Sequence, residues 1–270
     1  MPDDNPILRH WQTELEVFGN NFSLLQHEMN VEAIHDLRVA IKKLRSYVKL
    51  YSSLCKKNQP EPLLAMLKTV FSVFGKHRNI DIVKGLMPSL SQKNKPVPKP
   101  FLVYLQLLQD QVSPYCVKVV EEFKKDQFDK LTGEVKQELE GLNTAELQNS
   151  VKELVADMIK ALKKDLKHFR KRYHLVRKQL KDIFYWSNIF EDHLVFTKPQ
   201  LKELDKALDH LGNIQDLQMA ITNLKNFRKT IVTNSSAEYD LIKKMEMKAQ
   251  KKQDVLLEKA NKITEELLSQ

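Results

Sequence analysis

Apolar side chains recur along most of the chain at intervals of three and four residues, which is the spacing of one face of an α-helix. The first such stretch begins near Pro6, where Asn5 supplies a capping side chain and the proline suits the first helical turn. Another stretch begins after Asn30. The chain has only 6 glycines and lacks the sustained alternation of β-branched residues that strands require. The pattern therefore predicts an all-α protein.

Prolines and glycines predict where these helices are interrupted. Residues 91–100 contain three prolines and three lysines, and we expect them to form a linker. The other expected boundaries are helix ends at Gly75, Gly141 and Gly212, a kink or break at Pro114, a break between His168 and Arg172, and a cap at Ser235 or Ser236.

The helix predicted over residues 32–51 has different chemistry on its two sides. At ~100° per residue, one side carries Leu37, Ile41, Leu44, Val48 and Tyr51. The opposite side, called the first cationic face, carries His35, Arg38, Lys42, Arg45 and Lys49. Like charges at this spacing repel each other, and a solvated helix face usually mixes both signs. The spacing alone leaves a polyanion site and an ordinary solvated surface equally open.

The same spacing returns in the second half of the chain. His174, Arg177 and Lys181 repeat the first cationic face at a constant offset, and they form the second cationic face. Lys163, Lys167 and Arg170 extend that face backwards if the helix is unbroken. The stretches around Gly75 and Gly212 also match each other at nearly the same offset. Two matched landmarks in one order predict an internal duplication.

The sequence from His35 to Arg45, HDLRVAIKKLR, resembles the signature of the CHAD family, the conserved histidine α-helical domain. The resemblance covers nearly the whole chain, so residues 1–270 are expected to form one CHAD-like domain with repeats at about 5–125 and 144–270. It implies two antiparallel helical bundles related by a pseudo-twofold axis. It also implies a basic groove, lined by the two histidine-bearing helices, that binds inorganic polyphosphate.

The resemblance also assigns the binding residues. The second copy matches the family at His174, Arg177, Lys181 and Tyr185, whereas Asp182 and Phe184 stand where the family prefers basic residues. The predicted polyphosphate-binding residues are His35, Arg38, Lys42, Lys43, Arg45, Lys49, Lys163, Lys167, Arg170, His174, Arg177, Lys178 and Lys181.

Charge and cysteine content restrict the class of partner and the compartment. The net charge of +9 favours anionic partners without saying which. Cys55 and Cys116 show no metal-binding spacing and suit a reducing compartment. The N-terminus has no apolar run of signal length, and no stretch approaches the ~20 apolar residues of a membrane span. We expect a cytoplasmic protein without membrane association, and leave its oligomeric state and its association with polyphosphate granules open.

Metal, cofactor and catalytic motifs are missing from the sequence. The 8 histidines are scattered, and none stands four residues from another histidine. The chain has no Gly-rich phosphate loop, no GxSxG and no HExxH. We therefore expect a binding protein, with no metal, no cofactor and no enzymatic activity.

Two other classes of function use the same cations. One is a module that binds RNA or another nucleic acid, and the other is a helical scaffold whose basic faces dock acidic proteins. Proteins that hold single-stranded nucleic acid usually add aromatic side chains on which bases stack. Tyr185 is the one aromatic residue on the polar arc of either cationic helix. This scarcity favours a polymer without bases.

Overall fold

The computed structural model describes residues 5–91, 96–190, 195–230 and 237–269. Within these ranges the chain forms helices and no strands. The helices are α1 (Pro6–Leu24), α2 (Val31–Cys55), α3 (Glu61–Leu90), α4 (Lys99–Glu121), α5 (Lys125–Glu140), α6 (Thr144–Leu166), α7 (Phe169–Ser187), α8 (Lys198–Thr230) and α9 (Ala237–Ser269). The prediction of an all-α protein is confirmed. No helix in the described ranges is long and apolar enough to cross a membrane.

Several helix boundaries lie where the sequence predicted them. The Asn5 side chain accepts hydrogen bonds from the backbone amides of Ile7 and Leu8, and Asn30 caps α2 in the same way. Gly141 follows the last residue of α5. The expected break near His168 separates α6 from α7. These boundaries depend on local backbone hydrogen bonding, which short sequence patterns report well.

The helix ends expected at Gly75 and Gly212 were wrong, and so was a break at Pro114. Gly75 lies inside α3, Gly212 lies inside α8, and Pro114 lies inside α4. No described glycine has a positive φ, so none adopts the left-handed conformation with which glycine ends a helix. A proline removes one backbone hydrogen bond, and here α4 continues past it.

The expected linker coincides with the gap between α3 and α4. Helix α3 ends at Leu90, and α4 begins at Lys99 with Pro100 in its first turn. Residues 92–95 of the linker lie outside the described residues, as do the proposed caps Ser235 and Ser236. Proline fits this position because its missing amide hydrogen has no intrahelical partner in a first turn.

The chain divides into two compact units. The first contains residues 1–75 and 115–204, and the second contains residues 76–114 and 205–270. Each unit therefore draws on both of the proposed repeats, and the internal duplication stays a prediction.

The core of the first unit includes a group of aromatic rings that joins α1 to the α4–α5 connection. The rings of Phe18 and Phe128 stack with centroids 4.7 Å apart, and those of Phe22 and Phe123 lie 4.5 Å apart. Trp11 is fully buried on the same helix. Aromatic pairs at these distances add to the stabilisation from area burial.

The second unit has its own apolar core, formed by the C-terminal part of α3, the N-terminal part of α4, α8 and α9. Its fully buried members include Val83, Phe101, Leu224 and Met245. A polar network lies beside this core: Asp81 contacts Nδ1 of the buried His77 at 3.1 Å and accepts a hydrogen bond from Gln109 at 2.9 Å.

The Asp81 carboxylate has partners on two helices: His77, one helical turn earlier on α3, and Gln109 of α4. Residues four apart lie on the same helix face, which explains the choice of His77. Asp81 thus joins two helices of its unit.

Asn5→Ala tests how α1 is fixed to α5. Besides capping α1, Asn5 donates a buried hydrogen bond to the carbonyl of Leu139 at 2.7 Å. Loss of the cap and of this bond should lower the free energy of unfolding by about 2 to 3 kcal/mol. Asn30→Ala, which removes only a cap and exposed contacts, should cost about 1 kcal/mol. Urea denaturation measures both, and equal losses would contradict the cross-helix role of Asn5.

Candidate anion-binding surface

All thirteen predicted binding residues belong to the first unit. They lie on α2, on α6 and α7, and in the short connection between α6 and α7. On α2 the predicted apolar stripe is confirmed, because Leu37, Ile41, Leu44 and Val48 are fully buried. On the opposite face His35 and Arg45 are exposed, while Arg38, Lys42 and Lys49 are half-buried.

Arg38 packs against α3. Its Nη1 donates a hydrogen bond to the backbone carbonyl of Phe71, and its guanidinium lies 3.9 Å from the centroid of the Phe71 ring. The guanidinium of Arg45 lies 5.9 Å from the same centroid. A guanidinium over an aromatic face is attracted by the ring quadrupole. Phe71 therefore orients two cations of the first cationic face.

Gly75 makes room for this arrangement. A Cβ atom at position 75 would overlap the guanidinium of Arg38. The glycine therefore serves close packing inside a continuous helix, and not the helix end that the sequence suggested. The match between the stretches around Gly75 and Gly212 marked this glycine in the sequence. The reason for a glycine at position 75 is its close contact with Arg38, which depends on the packing of α2 against α3.

Lys43 turns towards α1. Its ammonium pairs with Glu14 at 2.6 Å, and the Glu14 side chain is only 6% exposed. Residue 43 follows Lys42 by one position, so it lies about 100° further round the helix. Glu14 thus balances the charge of Lys43, a predicted binding residue, and the sequence pattern gave no sign of this pair.

Lys49 forms part of a joint between α2 and α7. Its ammonium pairs with Asp182 at 2.7 Å, and the hydroxyl of Ser46 donates to the other carboxylate oxygen at 2.6 Å. The buried indole of Trp186 donates to the carbonyl and the hydroxyl of Ser46 at 3.2 and 3.0 Å. The two cationic helices therefore contact each other directly, through residues that their apolar patterns did not identify.

The second cationic face lies on α7. His174 and Lys178 are exposed, and Arg177 and Lys181 are half-buried. The ring centroids of Tyr173 and His174 lie 3.9 Å apart. The pKa of His174 is lowered, first by partial burial, which disfavours the charged imidazolium, and then by the nearby cations Arg177 and Lys178. A nearby polyanion would act in the opposite direction.

The backward extension of this face is not continuous. Lys163 belongs to α6, Lys167 lies in the connection and Arg170 belongs to α7, and all three side chains are exposed. Because the helix breaks between Leu166 and Phe169, the regular spacing from Lys163 to Lys181 does not hold.

Two partly or fully buried tyrosines, Tyr185 and Tyr47, belong to the same two helices as these cations. Burial raises the pKa of Tyr185 to about 12, with smaller and opposed contributions from Arg177 and Asp182. Burial also raises the pKa of Tyr47, with a further contribution from Glu14. Both phenols are therefore neutral hydrogen-bonding groups at physiological pH.

Among the described residues, no group of three His, Cys, Asp or Glu side chains could hold a metal ion.

The comparisons with known proteins identify the family. The sequence matches the CHAD domain over residues 8–225, so the chain belongs to the CHAD domain family. Its fold resembles the crystal structure of the CHAD domain from the plant Ricinus communis, with a TM-score of 0.71 and 16% sequence identity over 96% of this chain and 90% of that one. No curated protein gives a significant match.

Gly75→Ala tests the packing of Arg38. In the Arg38→Ala background, the new alanine should raise the free energy of unfolding by about 1 kcal/mol, because alanine favours a helix interior over glycine. In the presence of Arg38 it must displace the guanidinium, so the gain should vanish or reverse. Urea denaturation of the four combinations measures the coupling. An equal gain in both backgrounds would show that Arg38 does not occupy this space.

The titration of His174 provides a second test. Its pKa should lie below the ordinary value of 6.5 in the free protein. Because the unfolded chain then binds the proton more readily, His174 should reduce stability as the pH falls through about 6.5. NMR titration of the imidazole measures the pKa. Arg177→Gln should raise that pKa, and an unchanged value would contradict the contribution of Arg177.

Proposed function

We propose that this protein binds inorganic polyphosphate, without catalysis, through the cationic side chains of α2 and α7. The main support is that both cationic helices belong to one compact unit and are joined where Ser46 of α2 contacts both Asp182 and Trp186 of α7. One flexible polyanion can then contact cations on both helices. The family match is consistent with this assignment.

The chemistry of the surface suits a phosphate chain. Arginine offers a planar fork of donors to phosphate oxygens, and lysine adds a mobile point charge. Ion pairs with Glu14 and Asp182 hold Lys43 and Lys49. We assign the main contacts to eight other basic side chains of the two helices, all of which are exposed or half-buried. These are His35, Arg38, Lys42 and Arg45 on α2, and His174, Arg177, Lys178 and Lys181 on α7.

The same side chains provide no means of recognising bases. Specificity would come from charge density and from the spacing of cations, and not from donors that read base edges. Tyr185 is half-buried, which makes it a poor platform for base stacking. We therefore favour polyphosphate over RNA. A cytoplasmic location and association with polyphosphate granules belong to the same proposal.

Competition binding tests the proposal. Labelled long-chain polyphosphate would be displaced by unlabelled polyphosphate, RNA, DNA or heparin at equal phosphate or sulfate concentration, in about 150 mM salt where surface electrostatics are partly screened. We expect polyphosphate to compete strongly and the others at least tenfold less well. If RNA competes equally, the surface is a general cationic one and nucleic-acid binding becomes the better assignment.

The double variant Arg38→Ala with Arg177→Ala tests whether α2 and α7 contribute to polyphosphate binding. It should weaken polyphosphate binding about tenfold or more. It should also reduce the dependence of log K on log salt by ~0.7 for each phosphate group that is no longer neutralised by an arginine. Because Arg38 also packs on Phe71, thermal unfolding must be measured in parallel.

Lys118→Ala with Lys136→Ala is the matched control for this double variant. It removes the same net charge from exposed ion pairs on α4 and α5. If the control weakens binding as much as the arginine variant, net charge governs affinity and the assigned residues are wrong.

A further inference from the structure

One carboxylate lies within the cationic surface itself. Asp182 stands on α7 one residue after Lys181, and its side chain remains 19% exposed. It accepts hydrogen bonds from Ser46 on one oxygen and from Lys49 on the other, at 2.6 and 2.7 Å. A carboxylate at this place is unexpected, because it opposes binding of any polyanion.

The contacts around Asp182 hold the carboxylate in place. Ser46 is buried, and its hydroxyl donates to Asp182 while it accepts from the indole of Trp186. The ammonium of Lys49 lies 5.6 Å from the centroid of the Trp186 ring. Because each group has a defined partner, Asp182 cannot easily turn away from an approaching anion, and Lys49 is held by the pair.

We propose that Asp182 is a positioning residue that ends the polyanion-binding surface at the α2–α7 joint and limits its affinity. This inference rests on the proposed function. Asp182 acts in two ways: its charge repels phosphate groups, and its ion pair withdraws Lys49 from the bound polymer. The cations of α2 that contact the polymer are then His35, Arg38, Lys42 and Arg45.

The consequence is a gain of binding on removal of one side-chain charge. Asp182→Asn keeps the shape of the side chain and one acceptor oxygen for Ser46, replaces the other oxygen by an NH2 donor, removes the repulsion and releases the Lys49 ammonium. Affinity for labelled long-chain polyphosphate should rise about three- to tenfold at about 50 mM salt, and less at 150 mM. Asp182→Glu, which retains the charge, should bind about as the unaltered protein does.

Asp129→Asn is the matched control. It removes the same charge from an exposed ion pair with Lys125 on α5, which is neither of the cationic helices. It should change affinity less than twofold, because the removed charge is exposed and screened by salt. Equal gains for Asp182→Asn and Asp129→Asn would overturn the proposal, since net charge alone would explain both. Unchanged or weaker binding by Asp182→Asn would also overturn it.

Lys49 provides an independent check. In the Asp182→Asn background, Lys49→Met should remove part of the gain, since the released ammonium would otherwise contact phosphate. If Lys49→Met has no effect there, the withdrawal of Lys49 is refuted and only repulsion remains. Thermal unfolding is measured for every variant, and Asp182→Ser replaces the asparagine variant if the latter fails to unfold cooperatively.

Failure of this inference differs from failure of the proposed function. If the unaltered protein does not bind polyphosphate at about 150 mM salt, the proposed function is wrong. If it binds, and Asp182→Asn does not bind more tightly than Asp129→Asn, the function stands and the role of Asp182 is wrong.

Discussion

Burial of the apolar stripe of α2 is the interaction on which the rest of the first unit depends. Leu37, Ile41, Leu44 and Val48 are fully buried, and burial of such a side chain is worth about 1.5 to 3 kcal/mol. Repulsion between neighbouring cations on a helix costs only a few tenths of a kcal/mol per pair. The packing of one face can therefore hold a row of like charges on the other.

Acidic side chains of neighbouring helices balance two of the α2 cations. Glu14 neutralises Lys43 on the side of α1, and Asp182 neutralises Lys49 where α2 meets α7. Both acids are largely buried, so each is stabilised by its cation and each fixes that cation in place. Cations of α2 thus help to join the helix to its neighbours α1 and α7. The all-α fold is that of the CHAD domain family, while these two ion pairs set the local charge balance of the α2 surface.

The helical class, the capped starts of α1 and α2 and the break between α6 and α7 could be predicted from the sequence. So could the buried and cationic sides of α2. The predicted helix ends at Gly75 and Gly212 and a break at Pro114 were wrong, because the helices continue past these residues. Local preference at one glycine or proline is worth about 1 to 3 kcal/mol, and tertiary packing along a whole helix can exceed it.

By itself, the sequence determined what repeats over three or four residues: the helices, their apolar stripes and the cations opposite them. Those features follow from backbone geometry and from the removal of apolar surface from water. Only the tertiary structure decided the partner of each charge, because Lys43 meets an acid 29 positions away and Lys49 one 133 positions away. Pairing at such separations depends on how helices pack, and helical periodicity carries no information about it.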